Sequence, residues 1–158
     1  MAEEQAAAPE QAQQPVFGIE KIYIKDLSLE VPNAPMVFAQ QMAPQVGIEL
    51  TNAAAQIQDG VYEVSLTVTV TSKLEDKTVF LVEIVQCGIF QIRNLPAENL
   101  DMILGISCPN ILFPYVREAV STTVVRAGFA PVMLNPVNFE ALFAQQRQQM
   151  DGSAPTTH

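Results

Sequence analysis

From Tyr62 to Thr71 apolar and polar residues alternate without a break. Tyr62, Val64, Leu66, Val68 and Val70 fall on one side, and Glu63, Ser65, Thr67, Thr69 and Thr71 on the other. A period of two sustained this long is that of a strand with one face in a core and the other wet or polar, the usual state of a strand in an antiparallel sheet. Asp59-Gly60, just before it, is a strong hairpin signal. Val46, Ile48 and Leu50, alternating with Gly47, Glu49 and Thr51, supply the partner strand, which weakens in the alanine-rich stretch that follows. After the charged turn Lys73 to Lys77, the segment from Thr78 to Ile92 places Phe80, Val82 and Ile84 on one face and Val79, Leu81 and Val85 on the other. A strand apolar on both sides needs a second cover: a local loop, another subunit or a ligand. Glu83 interrupts that second face beside Leu81 and Val85, which makes it a candidate contact residue.

A further strand is expected from Phe17 to Val31, with Phe17, Ile19, Tyr23, Leu27, Leu29 and Val31 on its apolar side and Glu20, Asp26, Ser28 and Glu30 on its polar side. Asp26 and Glu30 then share a face, roughly 13 Å apart along an extended chain, and form one acidic patch. Pro32-Asn33-Ala34-Pro35 ends the strand, because a proline has no N–H for the ladder and biases its predecessor away from helix. The crossing loop that follows, to about Pro44, holds Met36, Val37, Phe38 and Met42. It is either tucked under another element or lines a groove.

The second half reads as helix. Leu95 to Ile103 starts a short one, with Pro96 suited to a first turn. Gly105 to Glu118 is the turning point from strand-like to helix-like sequence. Asn110 is read there as the N-cap of a helix reaching about Arg126, with the stripe Leu112, Val116, Ala119, Val120, Thr123 and Val124, a kink near Pro114 and a stop at Gly128. Asn138 caps a last helix carrying Phe139, Leu142 and Phe143, whose glutamine-rich end, Gln145 to Gln149, is expected to fray. Residues 1–15 and 150–158 have almost nothing to bury and read as disordered tails, leaving one domain over residues 16–149 of the 158. The fold class is α+β.

Composition excludes more than it assigns. With 8 basic and 17 acidic residues the formal charge is −9, which repels nucleic acid and anionic lipid surfaces and either serves solubility alone or favours a basic partner. No run of roughly 18 apolar residues exists to span a bilayer, so direct membrane insertion is not expected. The acidic N-terminal stretch has no signal-peptide pattern, and a cytoplasmic location is expected. The single histidine, His158, is the last residue. Neither a serine nor Cys87 or Cys108 therefore has an imidazole to activate it, and no metal-ligand spacing or Gly-rich phosphate loop is present. The cysteines read as buried thiols, and no enzyme activity, cofactor or metal is expected. What remains is an acidic surface with excess apolar side chains, which suits a binding protein or an oligomer. Met36, Met42 and Met133 fit adaptable contacts with varied partners or simple core filling.

Four strings then suggest a family: Pro32-Asn33-Ala34-Pro35, Gly88-Ile89-Phe90, Cys108-Pro109-Asn110-Ile111-Leu112-Phe113-Pro114-Tyr115 and Asn135-Pro136-Val137-Asn138-Phe139. In order and spacing, from about Phe17 to Gln149, the chain resembles SecB, the bacterial preprotein export chaperones. The resemblance implies a four-stranded antiparallel sheet with one long helix and a shorter C-terminal helix, assembled as a homotetramer, a dimer of dimers. It also implies ATP-independent binding of unfolded precursor proteins in apolar grooves and their delivery to the motor protein SecA. Carried onto this chain, the SecA-contacting residues are Asp26, Glu30, Leu81 and Glu83. The positions governing tetramer assembly are Val82, Ile84 and Gln86. The client groove would use Phe38, Met42, Val46, Ile48, Leu50, Phe139, Leu142 and Phe143. Family members often carry tryptophan at the position of Met42 and glycine at that of Cys87. The alternatives are a structural or adaptor oligomer without a client groove, and a specialised SecB-like chaperone serving one partner.

Overall fold

The computed structural model describes residues 13–41 and 43–152. Met42 and most of both expected tails lie outside that range. Four strands, β1 (Val16–Glu30), β2 (Gln45–Gln58), β3 (Val61–Leu74) and β4 (Lys77–Arg93), form one antiparallel sheet in the order β1-β4-β3-β2. The helices are α1 (Ala97–Met102), α2 (Cys108–Arg126) and α3 (Phe139–Gly152). The β2–β3 hairpin turns at Asp59-Gly60, where Gly60 takes a positive φ of 71°. β2 continues through its alanines to Gln58, because pairing with β3 supplies the ladder that alanine's weak strand propensity does not.

Alternation in β3 and β4 separates two faces. Val64, Leu66, Val68 and Val70 meet Gly88, Gln86, Ile84 and Val82 on the inner face, which α2 covers with Leu112, Phe113, Val116, Ala119, Val120 and Val124. The outer face pairs Thr67, Thr69 and Thr71 with Val85, Glu83 and Leu81. Among the described residues no element packs over that side of the strand.

β1 departs from simple alternation. Its register against β4 shifts between Ile19 and Lys21 and again between Ile24 and Asp26. Glu20 and Lys25 are thus extra residues, and each bulge inverts the side-chain parity beyond it. Ile22 and Ile24 face inward, opposite Gly88 and Gln86, while Tyr23 lies on the outer face opposite Cys87. The apolar assignment of Tyr23 is corrected by this shift. Asp26 and Glu30, both beyond the second bulge, keep a common face.

Helix begins earlier than Asn110. α1 passes through a π-helical turn, Ile103–Ser107, directly into α2, and Ser107 before α2 is itself helical at φ −67°, ψ −46°. Asn110 is therefore an interior residue and not a cap. The wider turn accommodates Pro109, which has no N–H for the preceding turn. Pro114 is tolerated because it and Asn110, whose carbonyl it leaves without an intrahelical donor, are both solvent-exposed. At the far end Gly128, φ 97°, closes α2: its N–H and that of Phe129 donate to the carbonyls of Val125 and Val124.

α3 runs to Gly152, so Met150 and Asp151 are helical. Asn138 Oδ1 accepts from the Ala141 N–H at 3.1 Å and caps it as read. Two exposed polar contacts hold its outer half: Arg147 Nη2 to Asp101 Oδ2 at 3.3 Å and Gln146 Nε2 to Asn52 Oδ1 at 3.2 Å.

Candidate functional site

Two surfaces carry the functional candidates, on opposite faces of the sheet. On the outer face Ser28, Glu83 and Thr69 form one cross-strand row, flanked by the rows Glu30-Leu81-Thr71 and Asp26-Val85-Thr67. Asp26, Glu30, Leu81 and Glu83 thus come together on two neighbouring strands. Glu83 faces Ser28, so Asp26 and Glu30 are its diagonal neighbours, roughly 7–8 Å away. Charges this close act together on a cation at physiological salt. Among the described residues none of these three carboxylates has an ion-pair partner; Leu81, half-buried between them, adds an apolar centre.

Thr69 was not singled out by sequence, yet its hydroxyl donates to Glu83 Oε2 at 3.1 Å. Register places Glu49 of β2 on its other side. The signal existed in the alternation of β3, but only the pairing of β3 between β2 and β4 says which acids its threonines meet.

Further along the same face Tyr23 and Lys25 reach across β4 to Glu63 on β3. The Tyr23 hydroxyl donates to Glu63 Oε2, and Lys25 Nζ lies 2.9 Å from Oε1. These two donors, Tyr23 first, hold the Glu63 carboxyl below the usual glutamate range, and the accepting carboxylate in turn raises the Tyr23 hydroxyl. Lys25 is consequently committed to Glu63 and leaves the acidic cluster uncompensated. Cys87, opposite both Tyr23 and Ser65, is buried, and desolvation pushes its thiol up. Burial likewise pushes Cys108 up to about 12.

The second surface is apolar. Val46 and Ile48 are 46 % and 48 % exposed on the inner side of β2, with Leu50 half-buried beyond them. Leu142 and Phe143 are half-buried on α3, and the Phe143 ring, under the Arg147 guanidinium, helps line a cleft of about 580 Å³ between β2, the π turn and α3. Gly105 permits that approach, since a Cβ there would sit 2.5 Å from the Phe143 ring. In the crossing loop Val37 packs on the core, whereas Phe38 stays 51 % exposed and stacks on Phe129 at 5.2 Å. Of the two neighbouring loop side chains, one is thus tucked and the other exposed.

Phe139 is corrected. At 2 % exposure, edge-on to Phe113, it belongs to the core and cannot touch a bound chain. Val82, Ile84 and Gln86 are also buried within the chain, at 0 %, 0 % and 3 %, and Gln86 Nε2 donates to the Tyr23 carbonyl at 3.1 Å. They offer no exposed interface, and any influence on assembly passes through packing. The unexpected apolar exposure is on β1, where Phe17, Ile19, Ile24, Leu27 and Leu29 line the inner side of an edge strand that α2 leaves uncovered. Among the described residues no helix is long and apolar enough to cross a membrane.

Known proteins resemble this chain in sequence and in fold. The family model described as preprotein translocase subunit SecB matches residues 10–150. The protein-export protein SecB of Methylobacillus flagellatus is 68 % identical, with 100 % of each chain covered. That of Chromobacterium violaceum is 63 % identical over 89 % of this chain and 93 % of its own. Among solved structures, a SecB-like chaperone of Mycobacterium tuberculosis, in complex with a peptide from the HigA1 antitoxin, superposes with a TM-score of 0.64 at 17 % identity, covering 77 % of this chain and 90 % of that one.

Proposed function

The chain belongs to the SecB family, non-enzymatic chaperones of preprotein export, and on that premise we propose how its two surfaces divide the work. The apolar surface formed by Phe38, Val46, Ile48, Leu50, Leu142 and Phe143, to which the family resemblance adds Met42, binds unfolded precursor proteins without nucleotide and keeps them competent for translocation. The acidic face, Asp26, Glu30, Leu81 and Glu83, docks a basic surface of SecA, to which the client is handed. Because a client wraps over several grooves, long clients bind far more tightly than short peptides.

The observation that carries this reading is the segregation of surfaces. Exposed aliphatic and aromatic side chains lie along β2 and the crossing loop on one side of the sheet, and unpaired carboxylates on the other. A client and an acid-seeking partner can therefore occupy the molecule at once. The uncovered apolar row of β1 favours assembly with further copies, in a homotetramer that is a dimer of dimers. Val82, Ile84 and Gln86 act on that assembly by setting how β4 packs beneath α2. The protein works in the cytoplasm, where precursors await export.

The test is to mix the purified protein, without nucleotide, with a slow-folding preprotein and follow its solubility and its release to SecA. Aggregation at the uncatalysed rate would refute the chaperone assignment. Asp26→Lys and Glu83→Lys should abolish SecA association while preserving client binding and oligomer size; undiminished SecA affinity in both would remove the docking assignment.

A further inference from the structure

We propose that Thr69 is a positioning residue for the partner-docking surface, holding the Glu83 carboxylate in the orientation in which it meets a basic partner. This rests on the reading of the acidic face as the SecA-docking surface and adds to it a residue outside the four carried over by resemblance.

Glu83 is exposed on the face of a central strand, with Ser28 opposite on one side and Thr69 on the other. Left alone, an exposed glutamate samples many rotamers, and a partner that uses it must immobilise it, which costs affinity. Thr69 removes part of that freedom beforehand. A β-branched side chain in a strand is itself restricted in χ1, and its single hydroxyl proton goes to Glu83 Oε2 at 3.1 Å, although Glu49 stands across from it on β2. A carboxylate that accepts one neutral hydrogen bond keeps its full charge and its remaining lone pairs for a cation. Thr69 thereby orders Glu83 without neutralising it.

The nearby lysine acts differently. Lys25 Nζ is 2.9 Å from Glu63 Oε1. Glu63 is thus neutralised locally, and the face divides into a compensated end at Glu63 and an oriented, uncompensated one at Glu83. No other ion pair among the described residues involves the acids at that second end.

A double-mutant cycle on the full chain tests this, read as affinity for SecA by titration calorimetry, with oligomer size and binding of an unfolded preprotein measured alongside. Thr69→Val, nearly isosteric but without the hydroxyl, is expected to weaken SecA binding about threefold to tenfold. Thr69→Ser should restore most of it. In a Glu83→Ala background Thr69→Val should have no further effect, and client binding and oligomer size should not change. If Glu83→Ala weakens SecA binding but Thr69→Val does not, or if Thr69→Val weakens it equally with Glu83 absent, the positioning role is wrong and the docking surface stands. If Glu83→Ala leaves the affinity unchanged, the docking surface itself is wrong and the role of Thr69 goes with it.

Discussion

Phe139→Ala removes a ring that is 2 % exposed and packed edge-on against Phe113, 6.0 Å between centroids. Truncating a fully buried phenylalanine costs about 3–5 kcal/mol, through lost burial and the cavity left behind. With a urea dependence of about 2 kcal/mol per molar, that lowers the unfolding midpoint by roughly 1.5–2.5 M. Phe143→Ala, one helical turn on, is a different perturbation. Its ring is half-buried, with the Arg147 guanidinium carbon 4.9 Å from its centroid. The stability lost should be about 1 kcal/mol, mostly the cation–π contact and partial burial. An aromatic anchor at a binding surface, by contrast, is worth about 1–2 kcal/mol, roughly tenfold in affinity. The two variants should therefore separate: Phe139→Ala loses stability with client affinity retained, and Phe143→Ala loses affinity for an unfolded preprotein with stability nearly retained. The chain has no tryptophan, so unfolding is best followed by far-UV circular dichroism. Protein concentration must be fixed, since the proposed assembly would shift apparent stability. An unchanged midpoint in Phe139→Ala, accompanied by loss of client binding, would refute the assignment of that ring to the core.

Acid should weaken the strap across β4. Glu63 is held below its ordinary value of 4.5 by Tyr23 and then Lys25, so its stabilising effect is full above that value and fades as pH falls through the lower folded-state value. The gap in urea midpoint between the wild type and Glu63→Gln should be widest near neutrality and shrink below pH 4.5; a gap independent of pH would contradict this. Neither buried thiol should react with a disulfide reagent at pH 8 in the native protein, and both should in urea; rapid native labelling of Cys108, whose thiol burial pushes up to about 12, would count against its environment as described. Gly128→Ala should lower Tm by a few degrees, since φ is 97° there and the new Cβ would lie 3.0 Å from the Phe38 ring; an unchanged Tm would mean that the turn is not held as described.

Much of the architecture is written locally. The alternation of Tyr62 to Thr71, the Asp59-Gly60 turn and the stripe on α2 each depend on neighbours two to four residues away, and the strands, the hairpin and the covering helix follow from them. Asp26 and Glu30 could likewise be put on one face by counting. Other features are properties of pairing. The bulges at Glu20 and Lys25 have no signature in β1 alone, because they exist only relative to β4; they send Tyr23 outward and free the acidic cluster of its nearest lysine. The unbroken passage from α1 through the π turn into α2 overrides the capping preference of Asn110, since Phe113 and Leu112 are buried only if the helix is already in register beneath the sheet. Phe139 and Phe143 have the same side chain, and nothing local says that one is core and the other lines a cleft. That depends on which side of α3 meets Phe113 and which meets Gly105. The sequence by itself determined an antiparallel sheet, its helical cover and the sign of its outer face, because those arise from periodicity and charge. The tertiary structure decided which apolar side chains remain exposed and which hydroxyl meets Glu83, because both depend on contacts between residues far apart along the chain.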